Sequence, residues 1–287
     1  VYLAGTEVTL SASPLGQSQL VGWSGDIESK DTTIQFTVDK PFTLKAIFES
    51  SGGEESMVLI PGGKFTMGDA RKTKGPLGPA HEVEVSPFYL GKNEVTKKEW
   101  DVVHEWALKN GYDFTYDGSQ VGSVPVSPGD DYPIVNATWY DMVKWCNARS
   151  EMEGFKPAYF TSESKTEVYR IDILELLHTF VDWQADGYRL PTEAQWESAA
   201  RGGFDGKLYP NGDSLDDALA NFNNNVDTLS VVGSYPANGY GLHDMAGNAF
   251  EACWDWYDKD WYANAASTEK DTHGPKIGVD GFHGTLR

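Results

Sequence analysis

Asp244 and Glu251 flank Gly247 in the run GLHDMAGNAFEACWDWYD, residues 241–258. A hard cation such as calcium takes about six to eight oxygens, some from carboxylates and others from the carbonyls of a curled loop. Gly247 permits that curl, and the two acids could close a cage from either end. A plain turn carrying two solvated acids accounts for the same spacing, and both readings stand at this level. Cys253 lies between Glu251 and Trp254 with no basic neighbour in sequence. Nothing there lowers a thiol pKa, so it reads as a structural thiol or half of a disulfide rather than a nucleophile. The six histidines, at 81, 104, 178, 243, 273 and 283, show no H-x-x-x-H or H-E-x-x-H spacing. They read as surface or helix-face residues rather than zinc ligands.

The elements that must position these residues have two textures. Residues 1–49 alternate in period two through Val8 and Leu10, then Ile34, Phe36 and Val38, then Phe42, Leu44, Ala46 and Phe48. Turn clusters separate these runs, the signature of a small all-β module. GWSGD inside it lacks the G-x-S-x-G spacing of a nucleophile elbow. Residues 50–56, the short Gly/Ser/acid run SSGGEES, read as a linker, and residues 57–287 as the main domain. MVLIPGGKFTMG suggests a hairpin around Pro-Gly-Gly, since it lacks phosphate-loop spacing, and HEVEVSPFYL a further strand.

Three helices carry start signals. Thr96 and Glu99 form a capping box ahead of Trp100, Val103 and Ala107. Thr138 can cap a helix in which Trp139, Met142, Val143 and Cys146 share one face, which buries Cys146 as inert packing. Pro191 and Thr192 with Gln195 open a third helix that continues through Ala199 and Ala200. A further helix is expected over Ile171–Phe180. From 202 onward the chain is rich in Gly, Asn, Asp and aromatics, and a half so rich in loops needs ions or stacked rings to hold it. The chain holds ten Trp, 14 Tyr and 13 Phe beside 30 Gly and 14 Pro. That mixture suits an irregular α+β fold rather than a helical bundle. A net charge of −20 disfavours nucleic acid and anionic bilayers as partners. No apolar run approaches the roughly 20 residues of a membrane span, so surface anchoring is expected rather than crossing.

Two resemblances follow from ordered blocks. GTEVTLSASP, GWSGD and TVDKPFTLKAIF resemble the divergent internalin B-type bacterial repeat, which implies a spacer outside the cytoplasm. MVLIPGGKFTMG, VSPFYLGKNEVTKKEW, PIVNATWYDMVKWCNARS, GYRLPTEAQWESAARGG and VVGSYPANGYGLHDMAGNAFEACWDWYD, in that order, resemble the formylglycine-generating-enzyme-type, or sulfatase-modifying-factor, domain. The resemblance implies an α+β fold of the C-type-lectin-like kind, with a few helices, a small sheet and long functional loops. It also implies calcium held by the side chains of Asp244 and Glu251 and the carbonyls of Met245, Gly247 and Ala249. A second family calcium site matches the Asn221 side chain and the Phe222 carbonyl, with Asp227 as the nearby acid, although loop capping by the Asn side chains explains that stretch equally. In this fold Trp254 and Trp256 fill core, and the chain from Trp261 and Tyr262 onward is expected on an exposed loop flanking a ligand patch.

The fold hosts oxidases, sulfoxide synthases and binding proteins, so function must come from sites. Formylglycine-generating enzymes bind copper through a cysteine pair downstream of an R-G-G-S block, and this sequence ends at Gly284-Thr285-Leu286-Arg287, where that block would begin. Ergothioneine-type synthases of the family need an N-terminal domain with an iron-binding histidine cluster, whereas residues 1–49 contain no His. A third branch, the variable proteins of diversity-generating retroelements, displays a hypervariable patch for ligand binding. The sequence is therefore expected to be a non-enzymatic ligand-binding display protein of the bacterial cell surface or exterior, secreted or lipid-anchored, and monomeric. Its partner would be a protein or small molecule, and its cofactor calcium. The alternative is an oxygen-dependent modifying enzyme whose catalytic segment is not in this chain.

Overall fold

A computed structural model describes residues 5–12, 18–50, 56–73, 77–115, 126–204, 206–207, 209–210, 212–222, 228–276 and 285–286. The chain divides into two compact units, one built on Val1–Glu55 and the other on Ser56–Met152 with Lys156–Arg287.

In the first unit, β1 (Glu7–Ser11) pairs antiparallel with β3 (Thr33–Thr37), and β2 (Ser18–Gly25) with β4 (Leu44–Ser50). The period-two alternation is realised as expected: Val8 and Ile34 are buried while their chain neighbours face out. Asp26 ties the β4 end down by accepting the Thr43 N–H at 2.8 Å and the Lys40 ammonium at 2.9 Å.

The second unit opens with a long hairpin bent in the middle. Its outer half pairs β5 (Met57–Ile60) with β8 (Phe88–Gly91), and its inner half pairs β6 (Gly63–Met67) with β7 (His81–Val85). This corrects the reading of Pro-Gly-Gly as a hairpin turn and of HEVEVSPFYL as one strand. Pro61 and Pro87 offer no N–H to the ladder, so both strands break at the same level. Gly62 makes the bend possible, with φ +71° and space so tight that a Cβ would meet the Val85 carbonyl oxygen at 2.6 Å.

Three helices follow, α1 (Lys97–Lys109), α2 (Trp139–Glu153) and α3 (Glu193–Ala200), and α3 packs against the hairpin through Ala194 and Ala199. The capping boxes read from the sequence are formed at Thr96–Glu99 and Thr192–Gln195, each with reciprocal hydrogen bonds. At α2 the Thr138 hydroxyl accepts the Asp141 N–H at 3.1 Å and donates to the Asp141 carboxylate at 2.7 Å. The main core joins α1 and α2 to the 252–254 segment through rings: Trp100 stacks on Trp145 at 5.7 Å, and Trp254 packs against Trp139 at 5.4 Å and Tyr159 at 5.6 Å.

The helix expected over Ile171–Phe180 is absent. Only a 3₁₀ turn, His178–Phe180, forms there. Asp172 has φ +63°, which no helix accepts, and Tyr169 captures the backbone nearby. Its hydroxyl donates to the Asp172 carbonyl at 2.9 Å and accepts the Leu174 N–H at 3.4 Å. Among the described residues no helix is long and apolar enough to cross a membrane.

Candidate functional site

The Asp244–Glu251 loop is curled as a ligand cage requires. Asp244, Gly247 and Asn248 all have positive φ, at 58°, 111° and 66°. Gly247 is the residue the curl cannot replace, because a Cβ there would sit 2.2 Å from the Asn221 carbonyl oxygen. That same carbonyl accepts the Asn248 N–H at 2.8 Å. Asn248 is the hub that sequence reasoning missed. Its Nδ2 donates to Glu94 Oε2 at 2.6 Å, and its Oδ1 accepts the Ser230 N–H at 2.8 Å.

Glu94, also missed, lies just after β8 and is buried against the loop, its Oε1 accepting the Ala249 N–H at 2.9 Å. Burial, and then the nearby Glu251 charge, push its carboxyl up to about 9. Burial likewise raises Glu251 to about 7, with Asp244 adding repulsion, although the Trp196 indole N–H donates to Glu251 Oε2 at 3.1 Å. Asp244 is raised by burial too, despite accepting the Gly233 N–H at 2.6 Å on Oδ2. None of the three acids pairs with a Lys or Arg among the described residues.

This arrangement suits a hard cation. The second oxygen of Asp244, Oδ1, is buried with no hydrogen-bond partner. Among the described residues the carbonyls of Met245, Gly247 and Ala249 accept no hydrogen bond. An unpartnered buried carboxylate oxygen and three open carbonyls on one glycine-curled loop form the oxygen-only donor set calcium takes. No group of three or more His, Cys, Asp or Glu side chains is gathered around one point among the described residues. The cage would thus rest on two carboxylates and main-chain oxygens.

Around the second expected site, the Asn221 side chain works as a strut. Its Nδ2 donates to the Thr228 carbonyl at 2.9 Å, to Ser230 Oγ at 3.2 Å and to Asn248 Oδ1 at 3.3 Å. Phe222 follows it half-buried, and Asp227 lies outside the described residues.

Further along, Tyr262 is not on an exposed loop as expected but 3% exposed, packed edge-on to His81 at 4.9 Å in a core with Phe65 and Val83. Trp261 is half-buried at the rim of a separate cavity. Both rings belong to one 3₁₀ turn, Trp261–Ala263, and Trp261 packs against the same core. Trp254 and Trp256 are buried in the core as the resemblance implied.

Both cysteines are buried thiols. Burial pushes the Cys146 thiol up to about 12, so it is inert at neutral pH. A cavity of about 210 Å³ is lined by Cys146, Trp100, Trp145 and Met142 together with Phe250, Glu251 and Tyr89. Phe250 is 80% exposed and Tyr89 64%, so two rings stand in water at its mouth.

A bent hairpin, three helices and long loops curled around buried acids define the C-type-lectin-like fold of formylglycine-generating-enzyme type. The chain matches the Sulfatase-modifying factor enzyme 1-like domain over residues 45–279, and it belongs to that family. Residues 1–52 match the Divergent InlB B-repeat domain. Among curated relatives, the chain is 32% identical to Chaperone protein LppX of Paenibacillus barcinonensis, covering 71% of this chain and 72% of that one. It is 30% identical to the Formylglycine-generating enzyme of Thermomonospora curvata, over 78% of this chain and 80% of that one. Among solved structures, Treponema denticola variable protein 1 superposes with a TM-score of 0.60 at 24% identity, covering 80% of this chain and 82% of that one.

Proposed function

We propose that this protein is a ligand-binding display protein of the bacterial surface, built on a calcium-supported C-type-lectin-like scaffold in the manner of retroelement variable proteins. The observation that carries this reading is the pair of solvent-facing rings, Phe250 and Tyr89, at the mouth of an apolar cavity bordered by the acid loop. Large rings left in water are the usual anchors of a binding surface. Calcium, when bound, ties Asp244 to Glu251 and so fixes the backbone that presents Phe250. The thiols of this chain contribute packing rather than chemistry, since both are buried and Cys146 is held protonated. The ligand is a protein or a small molecule met outside the cell, and the fold alone does not make it a sugar.

Binding of the full chain to a panel of extracellular proteins and glycans, with and without calcium, tests the reading. Saturable binding that weakens at least tenfold in Phe250→Ala or Tyr89→Ala supports it. Binding untouched by either variant contradicts it. The kinship to formylglycine-generating enzymes at 30% identity favours a second reading, an oxygen-dependent modifying enzyme. Conversion of a cysteine-containing sulfatase peptide by the copper-loaded protein, read by mass spectrometry, would establish that reading and displace the first.

A further inference from the structure

A second cavity, of about 620 Å³, opens on another part of the domain. It is lined by His178, His273, Trp261, Asp258 and Asp271, and none of the acid loop contributes to it. The two imidazoles meet there edge to face, with ring centroids 6.0 Å apart and planes at 81°. Two imidazoles sharing one zinc ion, each at about 2.0–2.1 Å from it, bring their ring centroids to about 5–6 Å. The observed separation lies at the wide end of that range, so a small turn of either ring brings one nitrogen of each onto a common ion.

The surroundings hold both rings in place and leave nitrogens free. His178 Nε2 lies 3.1 Å from the Pro275 carbonyl oxygen, which can only accept, so Nε2 carries the hydrogen and Nδ1 keeps its lone pair. A carbonyl on the far nitrogen is the usual orienting partner of a metal-binding histidine. His273 stacks flat on Trp183 at 3.6 Å and 10°. Neither nitrogen of His273, nor Nδ1 of His178, has a hydrogen-bond partner among the described residues, and none of them is sealed from solvent.

We propose that His178 and His273 bind a borderline divalent transition ion, zinc or copper(II), through one nitrogen of each ring. Water fills the remaining positions. Asp258 lines the same cavity, while both oxygens of Asp271 are already committed to Ser86, at 2.6 and 2.7 Å. Burial lowers both imidazoles from their ordinary value, His273 to about 4, so they stand unprotonated at neutral pH. The nearby cations, Arg189 and Lys276, act against the ion, and Asp271 acts for it. A two-histidine site of this kind is exchangeable rather than structural.

Zinc titration of the full chain, with calcium in saturating excess, tests the assignment. One zinc equivalent should bind, and copper(II) should show electron paramagnetic resonance couplings from two imidazole nitrogens. His273→Phe keeps a ring on Trp183 but removes the donors, and should weaken zinc at least tenfold and leave one nitrogen coupling. His273→Gln should do the same, which guards against misfolding of either variant, with far-ultraviolet circular dichroism as the check. Zinc affinity unchanged in both folded variants would overturn the proposal. So would zinc displaced by calcium, which would place the ion at the acid loop, or the absence of zinc binding altogether.

Discussion

Two groups of acids in this domain have opposite electrostatics. Asp141 and Asp113 surround Lys144, whose side chain is almost wholly buried and lies 2.5 Å from Asp113 and 3.7 Å from Asp141. Desolvation pushes Asp113 up, but the Asp172 N–H and the Lys144 ammonium outweigh it and hold its carboxyl below the ordinary value. Glu94 and Asp244 are buried and Glu251 partly so, without a cation from the chain, and all three are raised. One cluster is complete as folded; the other needs protons or an external cation to be stable. The contrast separates an acid cluster completed by the chain itself from one that the proposed calcium would complete.

The largest expected effect breaks the complete cluster. Lys144→Met leaves Asp141 buried without its counter-ion and should cost about 3–5 kcal/mol in urea denaturation, the range for removing one partner of a buried pair. A loss below about 1 kcal/mol would mean that water reaches Asp141.

Next comes pH dependence with chelator present. Raised acids bind more protons folded than unfolded, so their contribution is full below about pH 4.5 and is lost as pH rises through about 7 for Glu251 and about 9 for Glu94. The chelated protein should therefore melt at a lower temperature at pH 8.5 than at pH 5.5, roughly the edges of that window. Calcium should remove that slope. A chelated protein that is more stable at the higher pH would show that other groups dominate.

A smaller effect sharpens the comparison. Glu251→Gln keeps an acceptor for the Trp196 indole and removes one charge. Near pH 6 it should alter chelated stability by less than about 0.5 kcal/mol, while weakening calcium about tenfold or more by titration calorimetry. Smallest of all, native Cys146 and Cys253 should resist alkylation at neutral pH, and label only after unfolding.

What the sequence revealed follows the range of the interactions. Capping boxes at Thr96 and Thr192 span three residues, so a local pattern suffices to place them. Core faces of α1 and α2 were legible for the same reason. The curl at Gly247 was legible within its own loop, but Glu94 reaches that loop from 155 positions away and no local pattern marks it. The broken segment at Asp172 depends on Tyr169, whose hydroxyl outbids the helix for backbone partners. Tyr262 was misplaced because an aromatic in a loop-rich stretch has no periodicity to say which way it turns. The pairing of His178 with His273 is likewise tertiary.

Calcium at the acid loop is what would hold the proposed binding surface in shape. Thermal melting of the full chain with calcium and with chelator, repeated in Asp244→Ala, measures it. At a hundredfold excess of calcium over Kd the native chain should gain about 2.7 kcal/mol. Asp244→Ala should lose most of that gain. Equal melting with calcium and with chelator would contradict the account, as would a calcium shift that Asp244→Ala leaves intact.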